Sequence, residues 1–178
     1  MKAEESGLKI VNDYPIKGIK FIDINGVLAN QTAYNKVINS FCRQVQKIKK
    51  EFPDIAILTP ESRGFLFASA VAYKVKLPLV TVRKKGKIPN NPYRFQIQNE
   101  YDAYEMEIDS DILADFKKYI FIDDILATGQ TLVHISEALK KKHKEIILAL
   151  HLTAVPGLKQ IRKENLKLQK IPHKEIIK

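Results

Sequence analysis

Phe121-Ile122-Asp123-Asp124-Ile125-Leu126-Ala127-Thr128-Gly129-Gln130-Thr131 is the stretch on which the fold turns. Tyr119 to Ile122 reads as a buried strand running into two carboxylates. A turn of small residues follows. Thr131 to Lys142 then reads as a helix, with Leu132, Ile135, Ala138 and Leu139 on one face. Backbone N–H groups of such a turn, together with a helix N-terminus, make an anion site suited to a phosphate. Thr128 and Thr131 add hydroxyl donors. Asp123 and Asp124 cannot bind that phosphate, but they can accept hydrogen bonds from vicinal ribose hydroxyls beside it. The ligand so described is a ribose 5-phosphate. No Lys-Ser or Lys-Thr follows the glycine, so the turn is not a Walker loop. Taken alone, an acidic pair before a turn is equally compatible with a plain strand end.

The pattern extends in both directions. Ala33, Val37, Ile38, Phe41, Val45 and Ile48 recur at helical spacing, which predicts an amphipathic helix over Gln31 to Glu51, closed by Pro53. Ile55 to Leu58 reads as a short buried strand, Gly64 to Lys74 as a helix, and Leu77 to Val82 as a strand. Arg83 to Asn99 has no period and carries Gly86, Pro89 and Pro92, so a long functional loop is expected there. Tyr104, Met106 and Ile108 alternate with Glu105 and Glu107, the pattern of a half-exposed strand. Ser110 to Lys117 suits a short helix, and Ile146 to Leu152 another buried strand. Buried strands alternating with helices predict an α/β fold: a mainly parallel twisted sheet with helices on both faces. Function then belongs at the carboxyl ends of the strands.

The 178 residues suit one domain, 1–178. A hydrophobic share of 45% with 28% charged residues fits a folded globular chain and excludes a disordered one. No apolar run has the roughly 18 residues of a membrane helix, and Met1 to Ile10 does not read as a secretory signal. Cys42 is the only cysteine, so the chain can form no internal disulfide and no cysteine metal cluster. Cys42 itself reads as a small buried apolar residue, and a reducing, cytoplasmic setting is expected. The net charge of +10 suits polyanions or phosphorylated small molecules. Only five of the 30 cations are arginine (Arg43, Arg63, Arg83, Arg94 and Arg162), and isoleucine and lysine abound. Coding bias plus phosphate ligands therefore explains the charge better than a nucleic-acid surface does. The cations of the last twenty positions read as a solvated face.

The segment from Phe121 resembles the phosphoribosyl pyrophosphate motif of type I phosphoribosyltransferases, with four hydrophobic residues, two acids and a small Thr-Gly loop. Gln130 stands where the adenine-specific members usually have a second glycine. Three more segments resemble that adenine-specific branch, and together they cover nearly the whole chain. Tyr14-Pro15-Ile16-Lys17-Gly18-Ile19-Lys20-Phe21-Ile22-Asp23-Ile24 looks like its N-terminal purine segment; Ile22 replaces a frequent arginine. The resemblance implies a small purine-binding hood over 1–30, with Phe21 stacking on the base and backbone groups around Lys20 and Ile22 reading its edge. Glu61-Ser62-Arg63-Gly64-Phe65-Leu66-Phe67 resembles a pyrophosphate-binding turn, which assigns Ser62 and Arg63 to pyrophosphate. Arg83-Lys84-Lys85-Gly86-Lys87-Ile88-Pro89 resembles the family's basic loop. It implies that Lys84 and Lys87 meet pyrophosphate and that Arg83, also assigned there, reaches toward a partner subunit. A basic loop and mobile flap over 83–107 follow.

Asn99-Glu100-Tyr101-Asp102 before the alternating strand resembles that flap, with Asp102 where glycine is usual. The resemblance implies Glu100 as the proton partner of the purine, Tyr101 as a flap residue, and Asp123 as a second catalytic group beside the ribose. The ribose and 5-phosphate fall to Asp123, Asp124, Ala127, Thr128, Gly129, Gln130 and Thr131. The cofactor implied is magnesium, bound with phosphoribosyl pyrophosphate. The four histidines are scattered, so no metal held tightly by the protein is expected. Adenine and phosphoribosyl pyrophosphate are the expected substrates, in a homodimer with no specific nucleic acid and no membrane. Two alternatives stay open: the same transfer to xanthine or hypoxanthine, and a non-catalytic regulator that senses phosphoribosyl pyrophosphate. The regulators of this fold add an N-terminal DNA-binding domain, for which about twenty residues before Phe21 are too few.

Overall fold

The computed structural model describes residues 7–98 and 103–177, with the backbone alone at 167–169. Its centre is a seven-stranded sheet. Strands β3 (Ile55–Pro60), β4 (Leu79–Lys84), β7 (Lys118–Leu126), β8 (Glu145–Ala154) and β9 (His173–Glu175) run parallel. Strands β5 (Pro92–Gln98) and β6 (Ala103–Asp109) add an antiparallel edge, in the order β5-β6-β4-β3-β7-β8-β9. A separate antiparallel hairpin of β1 (Lys9–Asn12) and β2 (Lys20–Asp23) lies in the segment expected to form the hood, and the short helix α1 (Asn25–Ala29) follows it. Among the described residues no helix is long and apolar enough to cross a membrane.

Every residue of β3 is buried, and the strand's alternation sorts its side chains into two layers. Ile55 and Ile57 join Ile120, Ile122, Leu148 and Leu150 in a core under α2 (Gln31–Glu51) and α3 (Phe65–Val75). Ala56 and Leu58 join Tyr119 and Phe121 on the opposite face, under α5 (Gln130–Lys140) and α6 (Lys159–Gln169). Burial on both faces is why these strands read as continuous apolar runs. Helix α2 has the predicted limits. The Asn30 side chain accepts a hydrogen bond from the Ala33 N–H (3.0 Å), and Ala33, Val37, Ile38, Phe41, Cys42 and Val45 form its buried stripe. Cys42 is buried as expected, and burial pushes its thiol up.

Four expectations are corrected. The loop over 83–99 contains strand β5, whose Tyr93, Phe95 and Ile97 alternate onto the second core. Pro92 is tolerated because it begins an edge strand, where a missing N–H costs little. Strand β7 continues through the acid pair to Leu126, pairing Asp123 with His151 and Leu126 with Ala154, so both carboxylates belong to the strand. The short helix after β6 is α4 (Ser110–Ala114), capped by Asp109, and ends three residues earlier than expected. Of the C-terminal cations expected on a solvated face, Lys159, Lys163, Lys170 and Lys174 are exposed, but Arg162 is only 7% exposed, and Leu166, Ile171 and Ile177 of the same segment are buried.

Candidate active site

The carboxyl ends of β3 and β7 meet the N-termini of α3 and α5. After Leu126 the chain turns through Ala127, Thr128 and Gly129 into α5. Gly129 has φ +85°, which favours glycine, and a Cβ there would lie 3.2–3.3 Å from the Leu166 side chain, which would have to give way slightly. The turn and the first residues of α5 border a cavity of about 70 Å³, lined by Asp123, Thr128, Gly129, Gln130 and Thr131 among others. Its inner wall includes His151, which is buried and whose Nδ1 has no hydrogen-bond partner among the described residues. Burial, with lesser contributions from His173 and Arg162, brings the His151 imidazolium down to about 3, so the ring is neutral.

A second cavity of about 190 Å³ lies over the turn after β3. Ser62, Arg63, Tyr104, Asp123, Asp124 and Thr131 are among its walls. Asp123 borders both cavities and therefore stands between the phosphate loop and the Ser-Arg turn. Asp124 is 5% exposed, and its Oδ2 lies 2.5 Å from Arg63 Nη2 as an ion pair whose angles do not make a hydrogen bond. Burial, and then the neighbouring Asp124 charge, push the Asp123 carboxyl well above the usual carboxylate range; Arg63 offsets only part of this. One carboxyl of the pair is thus matched to a guanidinium and the other faces both cavities. Gly64 makes the arrangement possible. A Cβ on it would lie 2.7 Å from both Asp123 Oδ1 and Thr59 Oγ1.

Arg63 also joins the β1–β2 hairpin to this site. Its guanidinium sits 5.4 Å from the centre of the Phe21 ring, and its Nη1 donates to the Ile22 carbonyl at 3.5 Å. Tyr14 meets Phe21 edge-on at 5.1 Å. The Ile22 side chain is buried, so only its backbone can face a ligand, while Lys20 is exposed.

The basic loop departs from its expected form. Arg83 Nε donates to Glu61 at 3.1 Å and the Lys84 N–H donates to the same oxygen at 3.0 Å. The Lys84 N–H and the Arg83 guanidinium hold the Glu61 carboxyl below its usual range despite some desolvation. Lys85 is ion-paired with Glu105. Glu107, expected on an exposed face, is fully buried. It accepts from the Lys87 and Ile88 N–H groups (2.6 and 2.7 Å) and from Arg94 (3.2 Å). Burial alone would raise its carboxyl, but those N–H groups, the Gly86 N–H and Arg94 outweigh it and hold the group below the usual range. The side chains of Lys84 and Lys87 are exposed and have no carboxylate partner among the described residues.

The structure thus gathers Ser62, Arg63, Asp123, Asp124 and residues 127–131 around adjoining cavities, and Phe21 and Ile22 meet this group through Arg63. Glu100 and Tyr101 lie outside the described residues. Sequence reading missed Glu61 and Glu107, which tie down the basic loop, and Arg162 and Asn165 behind the phosphate loop. An acid opposite a cation-rich loop was the available signal for the first two. A larger groove of about 690 Å³ between the C-terminal ends of α2 and α3 is lined by Arg43, Lys47, Lys49, Lys50, Lys74 and Lys76 among others. It lies at the amino ends of β3 and β4, away from the acid pair, and is a solvated basic face.

The model of the phosphoribosyl transferase domain family matches residues 27–178. A protein of Mycoplasma mobile named adenine phosphoribosyltransferase is 34% identical over 163 residues, 90% of this chain and 92% of its own. The crystal structure of adenine phosphoribosyltransferase from Thermoanaerobacter pseudethanolicus superposes with a TM-score of 0.83 at 29% identity, covering 99% of both chains. That of the Saccharomyces cerevisiae enzyme, complexed with an imino-altritol bisphosphate and adenine, superposes with a TM-score of 0.80 at 25% identity, covering 98% of this chain and 97% of its own.

Proposed function

Because this chain belongs to the adenine phosphoribosyltransferase family, we propose that it transfers the 5-phosphoribosyl group of phosphoribosyl pyrophosphate to adenine, giving AMP and pyrophosphate in purine salvage. The observation that carries this reading is the pair of adjoining cavities with Asp123 between them. One has the uncharged backbone turn and helix N-terminus that suit a 5-phosphate; the other has Ser62 and Arg63, which suit a pyrophosphate. A ribose spanning the two lies against the acid pair. The imino-altritol bisphosphate in the yeast relative has the same layout, a ring between two phosphates, and occurs there with adenine.

In the reaction N9 of adenine forms a bond to C1 of the ribose while the bond from C1 to the pyrophosphate oxygen breaks and adenine gives up a proton. Asp123 and Asp124 hold the ribose hydroxyls, and Asp123 faces the positive charge that grows at C1. Arg63, Lys84 and Lys87 receive the departing pyrophosphate. Phe21 and the backbone around Ile22 hold the base, and Glu100 takes its proton at N7, with Tyr101 closing the flap against water. No group of three or more His, Cys, Asp or Glu side chains among the described residues could hold a metal. The acid pair, one member already matched to Arg63, fits an ion carried on the substrate's own oxygens. Magnesium held with the substrate beside Asp123 and Asp124 would supply charge neutralisation at the leaving group. The reading extends to a cytoplasmic homodimer, for which Leu66 and Tyr73, exposed on α3, offer apolar surface.

The test is product formation by the isolated chain. Adenine, phosphoribosyl pyrophosphate and magnesium should yield AMP and pyrophosphate in equal amounts. Glu100→Gln should cut turnover by about 10²–10⁴, the usual worth of general acid–base help, with phosphoribosyl pyrophosphate binding unchanged. A chain that binds phosphoribosyl pyrophosphate but never forms AMP would be a sensor instead.

A further inference from the structure

The loop that receives the 5-phosphate is held from behind by α6. Arg162 Nη1 lies 3.0 Å from the Ala127 carbonyl oxygen and 3.3 Å from those of Leu126 and Val155. Asn165 Nδ2 donates to the Thr128 carbonyl at 2.8 Å. The carbonyls of Ala127 and Thr128 therefore point at α6, and that of Leu126 is shared between Arg162 and the Val155 N–H, which donates to it at 3.0 Å. In a trans peptide the C=O and the next N–H point in opposite directions. The N–H groups of Thr128 and Gly129 consequently point away from α6, and neither they nor the Ala127 N–H donate to another group among the described residues. The Leu166 side chain packs against Gly129 in the space a Cβ would need. Arg162 is 7% exposed and has no carboxylate partner among the described residues, so its charge is not cancelled locally. A cation is rarely buried this way unless it is hydrogen-bonded, and here its partners are loop carbonyls.

We infer that Arg162 and Asn165 are positioning residues for the 5-phosphate: they turn the loop's carbonyls backward so that its amides converge on the anion, and Arg162 adds an uncompensated positive charge behind it. Neither residue touches the ligand. The inference rests on the assignment of residues 127–131 to the 5-phosphate.

Calorimetric titration of the full chain with AMP, adenosine and inorganic pyrophosphate separates the possibilities. Asn165→Ala should weaken AMP about 3- to 10-fold, the worth of one hydrogen bond, and leave adenosine and pyrophosphate unchanged. Arg162→Met should weaken AMP further, and Arg162→Lys, which keeps the charge and a donor, should recover part of that loss. Should Arg162→Met fail to fold, Asn165→Ala and Arg162→Lys decide. Wild-type AMP affinity in both, or an equal weakening of all three ligands, overturns the inference. Thr131→Val, a change in the loop's own ligand set, tests the underlying assignment. If it leaves AMP unaffected, or if the wild-type chain binds AMP no better than adenosine, the phosphate assignment falls and the inference falls with it.

Discussion

The phosphate loop and the basic loop are both read as anion sites, and they are built in opposite ways. Residues 127–131 carry no charged side chain; their capacity lies in three undonated amides, a helix N-terminus and one buried cation behind them. Residues 83–87 carry four cations, yet Arg83 and Lys85 are spent on Glu61 and Glu105, and the backbone at 86–88 is fastened to Glu107. The denser charge is therefore not the more prepared site. On the proposed reading the turn at 127–131 is fixed by Arg162 and Asn165, whereas the basic loop offers two exposed lysines on a backbone fixed by acids.

The contrast predicts the largest losses where the rigid site is disturbed. Gly64→Ala puts a methyl 2.7 Å from Asp123 Oδ1 and must displace that carboxyl. Misplacing a reacting group by about an ångström costs roughly 10²-fold, so turnover should fall by that order in steady-state assays. A variant with normal turnover would show that Asp123 has no required position. Glu107→Gln attacks the fastening of the basic loop instead. It removes a buried carboxylate matched to Arg94 and two backbone N–H groups, so the melting temperature should drop by roughly 5–10 °C. The sign of the pH effect follows from its lowered carboxyl. The stability it contributes is complete above the unfolded value of about 4.3 and is lost as pH falls through the lower folded value. Thermal melts of Glu107→Gln should therefore lack that part of the acid sensitivity.

Much of this was legible in the sequence, for a physical reason. Helix α2, the buried strands and the strand–acid–turn–helix segment are each dictated by local periodicity or by the residue types a tight turn demands. The misreadings share another cause. Glu107 obeys strand alternation and should face solvent, but the turn at 86–88 folds over it. Arg162 sits in a lysine-rich, polar helix, and only the approach of α6 to residues 126–128 shows that it is buried. Strand β5 hid behind Pro92, although Tyr93, Phe95 and Ile97 alternate. In each case a contact distant in sequence overrides a local rule.

The smallest effects should separate the cations of the basic loop from one another. Lys84→Ala with Lys87→Ala should raise the KM for phosphoribosyl pyrophosphate about tenfold or more, as expected on losing charge-assisted contacts. Lys85→Ala removes only an exposed ion pair with Glu105 and should change KM by less than about threefold. Equal effects at all three positions would mean that the loop acts through total charge and that the fastening by acids is irrelevant.

The central claim is the identity of the base, and competition tests it most directly. Adenine, hypoxanthine, guanine and xanthine are offered together with phosphoribosyl pyrophosphate and magnesium, and the nucleotides formed are quantified. A site built around the edge of adenine leaves buried polar groups unpaired with a 6-oxopurine, so adenine should win by at least ~10³ in kcat/KM. Comparable conversion of hypoxanthine, guanine or xanthine would contradict the account at its base-binding end.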